Sequence, residues 1–141
     1  MAAAAVPAGF QHWTAEQMRE HNRALLGKMD KFKDATETIG SFSNHSIITG
    51  HREASGEAEI HDNKVDIMFI QGGEASMVVG GRIPDAKTTG PGEIRGSRIE
   101  AGERQTVRPG DIIHIPAKTP HQWVLEPGQK IDYYTVKVIL P

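Results

Sequence analysis

The chain has 141 residues, a formal net charge of -2 and no cysteine. This length suits one globular domain that folds without disulfides or a structural metal. The lack of a Lys/Arg cluster excludes nucleic acid as a partner. The lack of cysteine excludes thiol nucleophiles and thiolate metal sites. No apolar run is long enough to span a membrane, so we expect no membrane partner either.

The N-terminal segment, residues 1–7, is rich in alanine and has neither the basic nor the apolar region of an intact signal peptide. It fits the remnant of a cleaved signal peptide, and it equally fits the start of a cytoplasmic protein. A periplasmic or secreted location and a cytoplasmic location therefore both stay open.

The first predicted element is an amphipathic helix over residues 13–34. Thr14 and Gln17 form a capping-box pattern at its start. Apolar residues then recur at helical spacing and give one apolar stripe. We assign residues 1–40 to an N-terminal arm and this helix, and we expect the stripe to pack on a barrel or on a partner subunit.

After residue 40 the chain consists of short segments separated by Gly, Pro and Asn, which is typical of an all-β domain. Eight strands are predicted, at residues 46–52, 57–61, 65–70, 75–79, 98–107, 112–115, 122–125 and 131–139. Hairpin-type turns between them predict a sandwich or jelly roll over residues 41–141. The long connection 84–96 is either a binding loop or lid, or an excursion with no role.

A histidine among carboxylates is the best candidate for chemistry. Glu57, Glu59 and His61 alternate along a predicted strand, so their side chains share one face. Asp66 starts the next strand. An imidazole between carboxylates is either a metal site or a polar rim, and this stretch alone does not decide between them.

A second stretch that ends in a histidine completes a pair of spaced motifs. The chain contains Glu59-x-His61-x4-Asp66-x6-Gly73, followed by Gly110-x5-Pro116-x4-His121. This pair resembles the two motifs of the cupin superfamily, G-x5-H-x-H-x(3,4)-E-x6-G and G-x5-P-x-G-x2-H-x3-N. The resemblance covers the predicted β part. It implies an all-β cupin jelly-roll barrel, the double-stranded β-helix, preceded here by an N-terminal α-helix.

The chain departs from the family pattern at several positions. Glu59 stands where the family has its first His, and Asp66 stands where it has Glu. Lys118 and Leu125 replace the Gly and the final Asn of the second motif. The resemblance nevertheless implies a metal site, for which the chain offers the ligands Glu59, His61, Asp66 and His121.

The resemblance also implies one divalent transition metal per chain. Two histidines and one carboxylate on one side of a metal leave positions open for substrate and oxygen, as in non-haem Fe(II) oxygenases. The same ligands suit Fe, Mn, Cu, Zn or Ni. If one of Glu59 and Asp66 binds the metal, the other stays free as a catalytic acid or base. The alternative is a barrel mouth lined by hydrogen-bonded polar residues without metal.

Three further residues are candidates for supporting roles. His51 lies on the strand before the first motif and would approach the barrel mouth, either beside the metal ligands or as an extra ligand. His114 lies on the strand of the second motif, where packing is the favoured role. Trp123 follows His121 by two residues and would wall the pocket.

Three classes of function remain open, because a fold does not determine function. The first is a metal-dependent oxidoreductase of the dioxygenase type that acts on a small organic or carbohydrate substrate. Oxidative polysaccharide cleavage by an exported protein is its special case. The second is a non-catalytic protein that binds a sugar or small ligand, and the third is a metal-dependent sugar isomerase or lyase. We also expect a homodimer, since the helix stripe and an open sheet edge both need covering.

Overall fold

A computed structural model describes all residues from 1 to 141. It contains one helix and eleven strands. The helix α1 spans Ala15–Leu26. The strands are β1 (Asp34–Ser41), β2 (His45–Arg52), β3 (Ala58–His61), β4 (Lys64–Gly73), β5 (Ala75–Val79), β6 (Lys87–Gly90), β7 (Glu93–Gly96), β8 (Glu103–Val107), β9 (Ile112–Ile115), β10 (His121–Val124) and β11 (Ile131–Ile139).

The strands form two antiparallel sheets, as expected for a jelly roll. One sheet has the order β1-β2-β11-β4-β9, and the other has the order β6-β7-β3-β10-β5-β8. Ten buried residues from both sheets, among them Ile70, Met77, Ile115 and Trp123, form the apolar core. Strand alternation places their side chains on the inner faces of the sheets. The predicted all-β jelly roll with an N-terminal helix is confirmed.

The helix begins where the sequence predicts and ends earlier. The Thr14 hydroxyl accepts from the Gln17 N–H, and the Gln17 side chain accepts from the Thr14 N–H, so the capping box is formed. The helix stops at Gly27, whose N–H donates to the Ala24 carbonyl, and the Lys28 N–H donates to the Leu25 carbonyl. The prediction that it continues to residue 34 is wrong.

The turn after the helix explains this difference. The Asp30 carboxylate accepts from the backbone N–H groups of Phe32 and Asp34, which closes a turn instead of another helical turn. Asp34 then begins β1, which pairs with β2. The barrel therefore includes residues 34–40, which the sequence assigned to the N-terminal arm. Apolar residues keep their helical spacing across this turn, although the backbone there is no longer helical.

The helix packs on the outer face of the first sheet. Leu25 is fully buried there. His21 lies 3.2 Å from the Glu37 carboxylate on β1, and the Asn22 amide donates to the Tyr134 hydroxyl at 3.5 Å. The helix thus covers one sheet and leaves the space between the sheets to the inward-facing side chains. No helix in the structure is long and apolar enough to cross a membrane.

The connection 84–96 is more ordered than predicted. It contains the hairpin β6–β7, and β7 pairs along the whole of β3. The alternatives considered for it, a lid or an excursion, both missed these strands because they are short and lack apolar alternation. Pairing with β3 supplies the stability that their own sequence does not. The predicted strand at 98–107 is also shorter and begins at Glu103.

Candidate metal centre

A polar cavity of about 230 Å³ lies between the two sheets. Inward-facing residues of β1, β2, β3, β4, β7, β10 and β11 line it, and only four of its 17 lining residues are hydrophobic. The motif residues Glu59, His61, Asp66 and His121 are all among them. The two motifs therefore meet at one cavity, although 36 residues, 74–109, separate them in the chain.

Strand pairing brings the two halves of the site together. Glu59 and His61 lie two residues apart on β3 and share its inner face. His121 begins β10 and is the direct register partner of Glu59. The His61 and His121 rings have centroids 5.1 Å apart. One ligand atom each from Glu59, His61 and His121 lies within 4.8 Å of the other two, so these residues can hold one metal ion.

Both histidines are oriented for metal binding by contacts to the ring nitrogen that faces away from the cavity centre. The His61 Nδ1 lies 2.5 Å from the Glu93 carboxylate. The His121 Nδ1–H donates to the Thr119 carbonyl at 3.0 Å, since a carbonyl can only accept. These contacts assign the proton to Nδ1 and leave the Nε2 lone pair for a metal. The His121 Nε2 is buried and makes no hydrogen bond, which fits an absent metal partner.

Asp66 is the most buried carboxylate of the site, with 2% of its side chain exposed. Its Oδ2 lies 3.3 Å from the His61 Nε2 and 3.6 Å from the His121 Nε2. Its Oδ1 lies 3.0 Å from the Nζ of Lys137, which faces Asp66 across the β4–β11 register. Asp66 thus adjoins both histidines but is also paired with a lysine.

Opposite effects set the protonation of these groups. Burial would raise the pKa of Asp66, but the neighbouring His61 ring and the charge of Lys137 outweigh it and lower that pKa to about 2. Burial likewise would raise the pKa of Glu59, and the neighbouring His121 ring and Arg95 guanidinium hold it below its usual value. Both carboxylates are therefore ionised at neutral pH and available to a cation.

The pKa of His61 moves in the other direction. Burial would lower it, but the carboxylates of Asp66 and Glu93 stabilise the imidazolium and raise the pKa above its ordinary value of 6.5. Glu93 in turn has its pKa lowered to about 2: burial would raise it, but hydrogen bonds with His61 and Lys64 dominate. These carboxylates therefore favour the protonated ring, so a proton competes with a metal for the His61 Nε2.

Of the three residues predicted to have supporting roles, one lines the cavity and two do not. Trp123 is buried in the core cluster and also lines the cavity. His51 does not line it: its Nδ1 lies 2.6 Å from Asp132, its register partner on β11. Alternation explains this, because its neighbour Arg52 faces the cavity and His51 must face the other side. His114 is exposed on β9 and is also absent from the cavity.

Three site residues escaped the sequence analysis: Glu93, Arg95 and Lys137. Glu93 contacts His61, and the Arg95 Nε lies 3.4 Å from the Glu59 carboxylate. Both belong to β7, whose existence was not predicted. Lys137 carried a detectable signal, because β11 alternates and a lysine stands in register with the inward-facing Tyr133 and Thr135.

A second polar pair lies elsewhere on the cavity wall. The Arg52 guanidinium lies 3.1 Å from the Asp34 carboxylate, and both residues line the cavity. The buried Tyr133 stands beside them, and burial raises the pKa of its hydroxyl so that it stays protonated. The cavity therefore combines a metal-binding group with a separate set of donors and acceptors.

No family model matches the sequence. No curated protein shows significant sequence similarity to it. Solved structures with a similar fold do exist. An uncharacterized conserved protein with a double-stranded β-helix domain from Klebsiella pneumoniae superposes with a TM-score of 0.58 and 12% identity, over 78% of this chain and 80% of its own.

The polyketide cyclase RemF from Streptomyces resistomycificus gives a TM-score of 0.54 at 16% identity, over 75% of this chain and 65% of its own. A predicted oxalate decarboxylase from Thermotoga maritima gives a TM-score of 0.55 at 11% identity, over 76% of this chain and 81% of its own. At these identities the similarity shows the fold. This chain has the double-stranded β-helix fold, which confirms the fold that the two motifs imply.

Proposed function

We propose that the protein is a metal-dependent enzyme, an oxidoreductase of the dioxygenase type that acts on a small polar organic or carbohydrate substrate. The observation that carries this proposal is the ligand set itself. Glu59, His61 and His121 offer two imidazoles and one carboxylate from one side of a cavity. Such a set leaves positions of the metal free, which is the arrangement of non-haem Fe(II) oxygenases.

The bound metal would supply Lewis-acid and redox chemistry to a substrate in the cavity. The chain's own residues supply the remaining functions. Glu93 and the Thr119 carbonyl hold the two imidazoles by Nδ1, so that both Nε2 atoms point to one place. Asp66 is an ionised carboxylate at this place and can accept a proton from a bound substrate at Oδ2.

The cavity indicates the class of substrate. Its volume of about 230 Å³ suits a small molecule or the end of a longer one. Its wall carries cations and anions in close pairs, such as Arg52 with Asp34 and Arg95 with Glu59. Paired charges of this kind donate and accept hydrogen bonds without a strong net charge, which favours hydroxyl-bearing substrates over long apolar ones.

A second candidate is a metal-dependent lyase or isomerase that needs no oxygen. The Asp66–Lys137 pair favours it, because a carboxylate and an ammonium group 3.0 Å apart beside the metal ligands are a ready acid–base pair. The similar structures include a DMSP lyase from Ruegeria pomeroyi, the polyketide cyclase and the predicted oxalate decarboxylase, none of which is named as an oxygenase. At 11–16% identity their reactions do not transfer to this chain.

Turnover with and without oxygen tests the proposal. Metal-free protein would be loaded separately with Fe(II), Mn(II), Cu(II), Zn(II) and Ni(II) and incubated with mono- and oligosaccharides and small hydroxy acids. We expect oxygen consumption in step with substrate loss, and neither in the Glu59→Gln variant. Turnover that persists at full rate without oxygen would support the lyase or isomerase instead. Saturable binding without any turnover would contradict both enzyme candidates.

A further inference from the structure

The cavity has a second polar end, away from the metal ligands, where Arg52 and Asp34 form an ion pair. Tyr133, Thr135 and Lys137 follow one another on the inner face of β11, and all three line the cavity. Tyr133 stands beside the ion pair, whereas Lys137 stands beside the metal ligand His61. Four residues along a strand rise about 13 Å, so the cavity is elongated along β11.

The protein satisfies this ion pair incompletely. Arg52 is only 9% exposed, and the Asp34 side chain is 24% exposed. The Asp34 Oδ1 and the Arg52 Nε are buried and have no hydrogen-bond partner. Burial also raises the pKa of the Asp34 carboxyl, although the charge of Arg52 opposes this. Such a pair stabilises a fold less than apolar side chains would, so its place in the cavity wall indicates a role in binding.

The chemistry of the pair defines the group that it would bind. A ligand that fills the cavity removes water from the exposed part of both side chains and must replace the lost hydrogen bonds. The guanidinium only donates and the carboxylate only accepts, so a group that both accepts and donates fits them together. The pair has no net charge, which disfavours a second carboxylate or a phosphate. Hydroxyl groups meet both conditions.

We propose that Arg52 and Asp34 select substrates that carry hydroxyl groups at the end opposite to their metal-binding group. The metal-binding end would lie at Glu59, His61 and His121, and the chain of hydroxyls would extend along β11 to the ion pair. This inference rests on the proposed metal-dependent function and deepens it. It favours sugars and sugar acids over short hydroxy acids and over molecules with an apolar tail.

Two matched probes test the selection. D-gluconate and 2-hydroxyhexanoate have carbon chains of the same length and the same α-hydroxycarboxylate, which can bind a metal. Only D-gluconate carries hydroxyl groups on the rest of its chain. Zn(II) affinity would be measured first, by chelator competition. The affinity of the Zn(II)-loaded protein for each probe would then be measured by isothermal titration calorimetry.

Two variants disturb the ion pair in different ways. Asp34→Leu/Arg52→Met removes both charges together, so that neither is left buried without its partner. Gly56→Ala keeps both charges, but its Cβ would lie 2.8 Å from the Arg52 Nη1, so the guanidinium must shift. The matched control is Glu74→Leu/Arg108→Met, which removes an exposed ion pair outside the cavity.

We expect the wild type and the control to bind D-gluconate about tenfold or more tightly than 2-hydroxyhexanoate, because hydrogen bonds to charged groups contribute that much. In Asp34→Leu/Arg52→Met this difference should disappear through weaker binding of D-gluconate alone. Affinity for 2-hydroxyhexanoate and for Zn(II) should not change, whereas general damage to the barrel would weaken all three. Gly56→Ala should reduce the difference in the same direction.

Two results would overturn the inference alone: a wild type that binds D-gluconate no more tightly than 2-hydroxyhexanoate, or variants that keep the full difference between the probes. In both cases the wild type still binds Zn(II) and the proposed function stands. A wild type that does not bind Zn(II) would overturn the proposed function and the inference together. If Asp34→Leu/Arg52→Met does not fold, Gly56→Ala decides the question.

Discussion

At the scale of single residues, each proposed metal ligand is held by a partner that leaves one atom free. Glu93 holds His61, the Thr119 carbonyl holds His121, and Arg95 contacts the Glu59 oxygen that does not face the histidines. Such contacts fix ligand geometry before the metal arrives, which lowers the ordering cost of binding. The ligands therefore lie on β3 and β10, whereas the residues that support them lie on β7 and in the segment before β10.

Substitution of the support tests this division of roles. Glu93→Gln keeps the shape of the side chain but removes the charge that orients His61. We expect it to weaken metal binding by about 10- to 100-fold while His61 and His121 remain the ligands. The matched control is Glu126→Gln, which removes the charge from an exposed ion pair with Arg104. Equal metal affinities for Glu93→Gln and the control would contradict the role assigned to Glu93.

Metal affinity should also depend on pH in a defined direction. Since the carboxylates of Asp66 and Glu93 raise the pKa of His61 above 6.5, protons compete with the metal already near neutral pH. Affinity should therefore be full at mildly alkaline pH and fall as pH decreases through the raised pKa. Chelator competition from about pH 8 down to about pH 5 measures this, as the range spans ordinary histidine titration. Loss of affinity only well below pH 6 would contradict the raised pKa.

The residues of the two motifs could be predicted from sequence because their spacing is local. Glu59 and His61 share a strand face by alternation alone, and the family pattern supplies His121. Alternation places Lys137 on the inner face of β11, but its proximity to Asp66 depends on the register between β11 and β4. Register is a property of the assembled sheet, so the sequence of β11 alone does not predict it.

At the scale of elements, three neighbouring strands of one sheet build the site. The order β7-β3-β10 places Glu93, Glu59 with His61, and His121 side by side. The sequence predicts β3 and β10, but β7 is hidden in the connection 84–96. The end of α1 was also not predicted, because the apolar spacing favours a longer helix, whereas the Asp30 side chain closes a turn. Both errors concern boundaries that tertiary contacts decide.

Substitution of Gly73, the glycine that ends the first motif, tests how closely β4 and β11 pack. Gly73 has a φ of 77°, and a Cβ there would lie 1.9 Å from the Lys130 carbonyl oxygen. Gly128 has a similar φ of 86° but open space around it. We expect Gly128→Ala to cost about 1 kcal/mol through its backbone alone, and Gly73→Ala at least about 2 kcal/mol more. Denaturant unfolding of the metal-free proteins measures both, and equal losses would contradict the close packing.

At the scale of the whole molecule, we propose that the protein is a homodimer. The helix buries Leu25 against its own barrel, yet Phe10, Leu26 and Phe32 remain more than half exposed near it. Each sheet also ends in open edge strands, among them β9, where Ile112 is 65% exposed. Exposed apolar groups beside an open edge are typical of a surface that a second copy covers.

Light scattering tests this proposal. We expect the wild type to have twice the mass of one chain, and the triple variant Phe10→Ser, Leu26→Ser, Phe32→Ser to have the mass of one chain. Ile112→Ser is the comparison: if it alone yields the single-chain mass, the dimer forms through β9 instead of the helix side. A wild type that has the mass of one chain at every concentration would contradict the homodimer.

Metal content shows whether Glu59, His61 and His121 form one metal site. Protein purified without chelator or added metal would be analysed for all first-row transition metals, beside His61→Ala/His121→Ala and the control His45→Ala, whose ring stacks on Phe42 outside the cavity. We predict close to one divalent transition metal per chain in the wild type and the control, and none in the double variant. A wild type without stoichiometric metal, even after incubation with each metal in turn, or a double variant that retains it, would contradict the account.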